Sequence, residues 1–590
     1  MAININVEVI GMEATRTDTK KNEIKYEKSE LELMTTYQLR EICRREKIMN
    51  GVIHPLDKEE LIQAIMRYMG KRQDFFICDK KKGGEERVEE FLKKTRIVIK
   101  PCKELYCQSQ ILAYEGLSIE YYDGYTIPYK KELSGTNAFL MGSDMALCAI
   151  LNLKEHGGRQ EKLYLTKAAE LETRETQRKD YRIFCMGHQT SESLYHLYYG
   201  EHTILPEHIE VYSIPLIDFV VRKPVTLMLP MAIDFGSVNT TAGVYLDSAY
   251  FENVGEQAAV KNCRENEINY TAFEDGNGES MLLPSVIGVL AVEEEDYKLL
   301  FGYDAIRLAN ASYVDEGFCV FYDVKRWIGE YEKEEEIVDR QGRRRLVKRA
   351  EILRRFFLYI IRKTENRFKC RISQVHISSP VKQKHYFRRM FREILPEYMT
   401  GQETMLDEGM AVLYNTISNM LEQETLEENE EYEALIIDCG GGTTDLCSYR
   451  FRIQDRRAAY KIYMETAYEN GDTDFGGNNL TYRIMQILKI ALVRAKGNRN
   501  VSSVKEILEY MDTDIYRFID SHGVKAFYQY LEQEYQKAEE TLPTHFADFE
   551  RYNRSEYYKV KNNFYTLFNT AEQIKKLFYG KVGALEVTVT

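Results

Sequence analysis

The spacing of apolar residues changes character three times along the chain. Over 31–70, Leu39 and Ile42, then Leu61, Ile62, Ile65 and Met66, fall at helical spacing. That predicts two helices, LMTTYQLREICRREK and DKEELIQAIMRYMG, joined by the loop IMNGVIHPL. Asp57 stands three residues before Glu60, which is capping-box spacing with Asp in place of Ser or Thr, and Gly70 fits a C′ stop. Over 97–225 the runs become short and β-rich (RIVIKP, QSQILAYEG, AFLMG, MALCAILNLK, KLYLTKA, YRIFCMG), with Gly, Asn and Asp between them. A mostly β domain with one or two helices is predicted there. Over 231–590 strands alternate with long amphipathic stretches such as 351–364 (EILRRFFLYIIRKT) and 480–495 (LTYRIMQILKIALVRA), the pattern of an α/β domain. The polar extension 1–30 and the charge run 79–96 (DKKKGGEERVEEFLKKTR) read as linker or solvated helix surface.

Composition narrows the class. A chain of 590 residues holds three or four domains at about 100–200 residues each. With 11 Pro and 35 Gly it has too few breakers for a long low-complexity linker, so most of it folds. The net charge of −13 argues against coating nucleic acid or an anionic membrane through the overall field. Eleven Cys show no paired spacing and sit in apolar runs, which points to reduced thiols and a cytoplasmic location. The N-terminus lacks a basic segment ahead of a long apolar one, and no apolar run reaches the ~20 residues of a membrane helix. Neither standard export nor membrane spanning is expected.

The chemistry concentrates after residue 230. Met231-Ala-Ile-Asp234-Phe-Gly236-Ser237-Val238-Asn239-Thr240-Thr241 places an Asp at the end of an apolar strand, then a Gly turn, then hydroxyl side chains entering a second strand. The pattern returns as Ala434-Leu-Ile-Ile-Asp438-Cys-Gly440-Gly441-Gly442-Thr443-Thr444-Asp445. Consecutive glycines let backbone N–H groups converge on an anion, and the flanking Asp residues can hold Mg²⁺ through its waters. Two such hairpins facing each other would clamp the β- and γ-phosphates of a nucleotide.

Further stretches follow in order: Leu283-Pro284-Ser285, Phe301-Gly302-Tyr303-Asp304-Ala305, Val324-Lys325-Arg326-Trp327-Ile328-Gly329, Val375-His-Ile-Ser-Ser-Pro380-Val, Asp407-Glu408-Gly-Met-Ala-Val, Gly471-Asp472-Thr473-Asp474-Phe475-Gly476-Gly477, and Ala571-Glu572-Gln-Ile-Lys575-Lys576. With the two hairpins this ordered set resembles the heat-shock protein 70 (DnaK-like) chaperones of the actin, hexokinase and heat-shock ATPase superfamily, over residues 231–590. The resemblance implies an actin-like (ribonuclease H-like) two-lobed α/β fold that binds ATP or ADP with Mg²⁺. By position it implies that Asp234, Gly236, Ser237, Val238, Asn239, Gly440, Gly441, Gly442 and Thr443 surround the phosphates. Lys325 would stabilise charge on the γ-phosphate. Glu408, Asp438 and Asp445 would orient the attacking water, with Asp234, Asp438 and Asp445 around the metal's water shell. Gly476 and Gly477 would approach from the second lobe, and Glu572, Lys575 and Lys576 would line the adenosine side.

The chain departs from that family in three ways. The stretch between Gly477 and Glu572 is longer and rich in Tyr and Glu. The sequence stops at Thr590, just after the adenosine helix, so either a fragment or an incomplete nucleotide site is expected. The first 230 residues have no counterpart. Within them, 31–72 is similar to a SAP-type helix-extended-loop-helix module, a kind that often binds DNA, although acids nearly balance its eight Lys and Arg residues. Three readings stay open at this point. The first is a heat-shock-70-like ATPase that couples nucleotide state to lobe closure and to binding of a protein client or partner. The second is an actin-like filament or segregation ATPase, and the third an inactive nucleotide fold carrying a DNA-binding module. If 31–72 holds DNA, Arg44, Arg45 and Lys47 are its phosphate partners. Replacing all three with Ala then weakens binding and flattens the salt dependence by about 3 in log–log slope. Gel-shift titrations across salt concentrations measure this, and no binding by the wild-type chain at low salt removes the DNA reading.

Overall fold

In the computed structural model the described residues are 26, 28–45, 57–69, 74–156, 161–177, 180–254, 262–275, 278–310, 319–339, 342–380, 383–398, 405–456, 459–472, 476–510, 517, 520–521, 523–546 and 553–578. The expected loop 48–56, Gly70, Lys47, most of the extension 1–30, residues 473–475 and the terminal stretch 579–590 lie outside them.

The N-terminal unit has helices Lys28–Leu33, Thr36–Arg45 and Lys58–Met69. The stretch expected as one helix from Leu33 is broken at Met34 and Thr35, because Thr35 starts a new helix. The Gln38 N–H donates to Thr35 Oγ1 at 3.3 Å, and the Thr35 N–H donates to Gln38 Oε1 at 2.8 Å. This reciprocal cap satisfies two backbone donors that an interrupted helix would otherwise leave unpaired. Asp57 and Glu60 make the same box at 2.9 and 3.0 Å. Leu31, Leu39, Ile42, Leu61, Ile62 and Ile65 form the small core.

Residues 96–216 build a seven-stranded sheet in the order Arg96–Lys100, His208–Leu216, Tyr181–Met186, Asn137–Met141, Leu147–Lys154, Lys162–Thr166, Thr126–Pro128. Alternation along each strand separates two cores. Phe139, Met141 and Phe184 face the helices Gly84–Lys94 and His188–Tyr199, whereas Ala138, Leu140 and Ile183 face the pair Gln110–Tyr114 and Asp218–Arg222. The charge run 79–96 is therefore not only surface. Its helix buries Val88 and Leu92 at i, i+4 against this sheet.

Farther along, Glu267–Tyr270, Asn239–Leu246, Met231–Phe235, Val375–Ser379 and Met405–Asp407 lie side by side in one sheet, with Leu283–Pro284 joined to Asn239–Leu246. The first three strands are antiparallel and the last two join in parallel. The long helix Arg349–Phe368 covers this sheet, burying Ile352, Leu353, Phe356, Phe357, Ile360 and Ile361, and Phe357 meets Phe235 edge-on at 5.0 Å between ring centroids. A second sheet, Tyr432–Cys439, Thr444–Asp455 and Tyr460–Asp472, is antiparallel throughout. Helix Glu408–Glu422 packs on one of its faces through Leu413 and Ile417. Helices Gly477–Ala495, Val524–Lys537 and Arg554–Phe578 share a separate core. The content is mixed α/β. The cysteines form no disulfide, and among the described residues no helix is long and apolar enough to cross a membrane.

The seven-stranded domain docks on the end of the long helix. Lys369 caps that helix with φ 50°, in the left-handed region. Its ammonium reaches across to Asp123 at 2.7 Å and to the Ser118 carbonyl at 3.0 Å. The two charged side chains are only 3% and 6% exposed. Lys369→Met leaves Asp123 buried without its cation, so at neutral pH it should cost about 3–5 kcal/mol. Adding Asp123→Leu should recover much of that. Denaturant unfolding of the two variants checks both outcomes.

Candidate functional site

Each glycine hairpin is built on the same local device. In the first, the Gly236 N–H donates to the Asn239 carbonyl at 3.1 Å; in the second, the Gly440 N–H donates to the Thr443 carbonyl at 2.8 Å. A Cβ on Gly236 would sit 2.3 Å from the Asn239 carbonyl oxygen. Close approach, and not a positive φ, is what excludes a side chain there. The first turn is pinned from below, since Ser285 Oγ donates to the Gly236 carbonyl at 2.7 Å and shares a 2.9 Å hydrogen bond with Thr240 Oγ1.

The two tips meet. A Cβ on Gly441 would fall 2.6 Å from Val238 Cγ2, and one on Gly442 would fall 3.2 Å from Ser237 Oγ. Helix Gly477–Ala495 docks its N-terminus on the second tip, with the Gly477 and Asn478 N–H groups donating to the Gly440 and Gly441 carbonyls at 2.9 and 2.6 Å. A Cβ on Gly476 would lie 2.8 Å from both of those oxygens. The carbonyls of the second tip are thereby turned into the protein, while Gly441 and Gly442 donate no backbone hydrogen bond to another described residue.

Beneath the tips lies a charged group. Lys325, on the 3-10 helix Val324–Glu330, pairs with Glu408 at 3.0 Å, the two side chains being 9% and 11% exposed. Glu408 is the first residue of its helix. The cap before it, Asp407, accepts from the Met410 N–H at 2.7 Å and from the Tyr449 hydroxyl at 3.0 Å, which fixes where Glu408 points. Burial pushes the Glu408 carboxyl up to about 7; Lys325 opposes that shift, and Asp234 and Asp438 add to it. Asp438 is also raised, by burial and then by the neighbouring Asp234. Asp234 accepts from Ser378 Oγ at 2.6 Å. Asp445 lies opposite Asp438 in the hairpin register and is buried.

Asp234, Asp438, Lys325 and Glu408 therefore form one electrostatic group behind the paired tips. Glu572 and Lys575 are brought to the same region. Glu572 accepts from Thr481 Oγ1 at 2.6 Å and pairs with Lys575 at 2.6 Å, and Lys575 reaches the Gly477 carbonyl at 3.3 Å. Lys576 points elsewhere and is exposed. The sequence reading gave no role to Asp323 and Arg326. They pair at 2.7 Å, and Asp323 also receives Ser237, so this pair braces the first tip. Arg326 stood in plain view beside Lys325, but nothing in the sequence tied it to Ser237. Tyr322 was missed as well; it stacks on Tyr565 of the helix Arg554–Phe578 at 4.4 Å.

The donor set suits Mg²⁺ held mainly through water. Asp234 and Asp438 offer hard carboxylate oxygens whose mutual repulsion a cation would relieve. Among the described residues no three His, Cys, Asp or Glu side chains converge as a direct ligand cage. No family model matches the chain, and no curated protein matches it.

Because folding raises the Glu408 pKa from 4.5 to about 7, the native state binds the extra proton between those values. Its contribution to stability is present below pH 4.5 and is lost as the pH rises towards 7, about 3 kcal/mol in all at about 1.4 kcal/mol per pH unit. Glu408→Gln should lack this slope. Denaturant unfolding of wild type and variant across that pH range reads the difference directly.

Proposed function

We propose that residues 231–590 form an actin-like, two-lobed ATPase of the heat-shock-70-like class, which hydrolyses ATP with Mg²⁺ in the cytoplasm and couples nucleotide state to a protein partner. The observation that carries this reading is the tip-to-tip meeting of two glycine hairpins over the Lys325–Glu408 pair. The backbone N–H groups of Ser237, Val238, Gly441 and Gly442 would receive phosphate oxygens, while Glu572 and Lys575 flank the nucleoside. Mg²⁺, when bound near Asp234 and Asp438, supplies neutralisation of phosphate charge. Lys325 would offset the charge that grows on the γ-phosphoryl oxygens. Glu408, with a pKa near working pH, would take the proton of the attacking water as its oxygen bonds to the γ-phosphorus and the bond to ADP breaks. Closure of the proposed lobes around the nucleotide would act through the Tyr322–Tyr565 contact, which joins the segment before the 3-10 helix to the helix Arg554–Phe578.

One observation favours the filament reading instead. Leu435 and Ile437 are 61% and 63% exposed on the second sheet, an apolar face that assembly would cover. Sedimentation with and without ATP separates the two, since nucleotide-dependent pelleting belongs to a filament.

Lys325→Ala should still bind ATP but turn it over about 10²–10³-fold more slowly, because the lost charge acts on the transition state. Calorimetric binding and phosphate-release assays on the same preparation test this. Failure of the wild type to bind ATP would remove the ATPase reading, and equal turnover by wild type and variant would remove Lys325 from the chemistry.

A further inference from the structure

The residue before Glu408 joins the two sheets. Asp407 ends Met405–Asp407, the strand at one side of the sheet that carries the first hairpin, where it lies opposite Ser379. It also caps the helix that Glu408 opens. One oxygen of its carboxyl, Oδ1, accepts both the Met410 N–H at 2.7 Å and the Tyr449 hydroxyl at 3.0 Å. Tyr449 lies on Thr444–Asp455, the strand that leaves the second hairpin tip. Asp407 is 3% exposed and Tyr449 0%, so neither group can turn to water instead. On the other carboxyl oxygen, Oδ2, the Lys384 ammonium stands at 3.8 Å.

Two features aim Tyr449 at that oxygen. The ladder between its strand and Tyr460–Asp472 slips by one residue at this point: Ser448 faces Tyr468, Tyr449 faces Thr466, and Ala467 is left over. A bulge of this kind twists the strands and re-aims neighbouring side chains. From the helix, Gly409 allows the close approach. A Cβ there would lie 2.8 Å from Cys447 Sγ and 3.1 Å from the Tyr449 hydroxyl oxygen. Packing alone does not call for a tyrosine, since Leu413 and Ile417 already share a core with Phe451 and Ile453, and a phenylalanine would fill the space of the ring. What only the hydroxyl adds is the hydrogen bond to Asp407.

We propose that Tyr449 is a positioning residue for Glu408. Its hydroxyl, acting through Asp407, ties the strand that leaves the second hairpin tip to the carboxylate paired with Lys325. The backbone meant for phosphate and the carboxylate meant for water are then fixed by one buried hydrogen bond. The role in hydrolysis rests on the ATPase reading; the tie itself does not.

Tyr449→Phe removes the hydroxyl and keeps the ring. In calorimetric binding and phosphate-release assays on the full chain it should bind ATP as wild type does and lower kcat about tenfold, because a misplaced base costs turnover and not affinity. In the Glu408→Gln background the same change should cost less than about twofold. Asp407→Asn keeps an oxygen that accepts both hydrogen bonds and should retain turnover within about threefold of wild type. Denaturant unfolding without nucleotide reads the tie separately: the loss of midpoint on Tyr449→Phe should shrink by about half in the Glu408→Gln background. A wild type that does not hydrolyse ATP removes the ATPase reading and leaves this unfolding cycle to decide the tie. Equal midpoint losses in the two backgrounds overturn the tie. Full turnover by Tyr449→Phe, or an equal loss of turnover with and without Glu408, overturns the positioning role.

Discussion

Lys325 and Glu408 face each other where neither charge could remain alone. Removing an ammonium and a carboxylate from water costs several kcal/mol each, and their close contact offsets only part of that cost, which leaves the Glu408 carboxyl raised. The pair therefore binds together two distant conditions of the fold. The segment after Tyr322 must wind into its 3-10 helix, and Asp407 must cap the helix that starts at Glu408. The same logic recurs at other joints. Lys369 ties the seven-stranded domain to the long helix through Asp123, and Lys489 ties two elements of the C-terminal helical region through Glu539 and Thr544. Buried lysine works in this protein as a fastener between pieces far apart in sequence.

The hairpins were the most legible part of the chain, because their determinants are local. A glycine that must let a carbonyl within 2.3 Å of its missing Cβ leaves a mark at that position and no other. Helical periodicity likewise located Arg349–Phe368 and Gly477–Ala495, missing the last four residues of the first and the first three of the second. Less legible were features set by choice between near-equal local options. The run from Leu33 to Lys47 has helical spacing throughout, yet Thr35 and Gln38 together stabilise a restart, and periodicity alone does not weigh a side-chain cap against continued backbone bonding.

Features made by distant partners were not legible at all. Asp323 reaches Ser237 across more than eighty positions, and Ser118 meets Asn366 across 248. His208–Leu216 went unnoticed as a strand because it alternates imperfectly and includes Pro215. Its place in the sheet is fixed by neighbours on both sides, Arg96–Lys100 and Tyr181–Met186. Glu572 and Lys575 have helix-surface spacing, and only packing against Thr481 and Gly477 distinguishes them from Lys576 one residue later.

The sheet order also sets a timetable for synthesis. Arg96–Lys100 forms an edge of its sheet and pairs in parallel only with His208–Leu216, Ile97 lying opposite Ile209. A ribosome adding about 5–20 residues per second leaves that first strand without its partner for roughly ten seconds. The strand between Met231 and Phe235 waits in the same way for Val375. Through both intervals the nascent chain carries unpaired strand edges, Ile- and Val-rich in Arg96–Lys100, the kind of surface that other nascent chains recognise. Slow emergence, and not final stability, is then the stage at which this architecture is most exposed to misassembly.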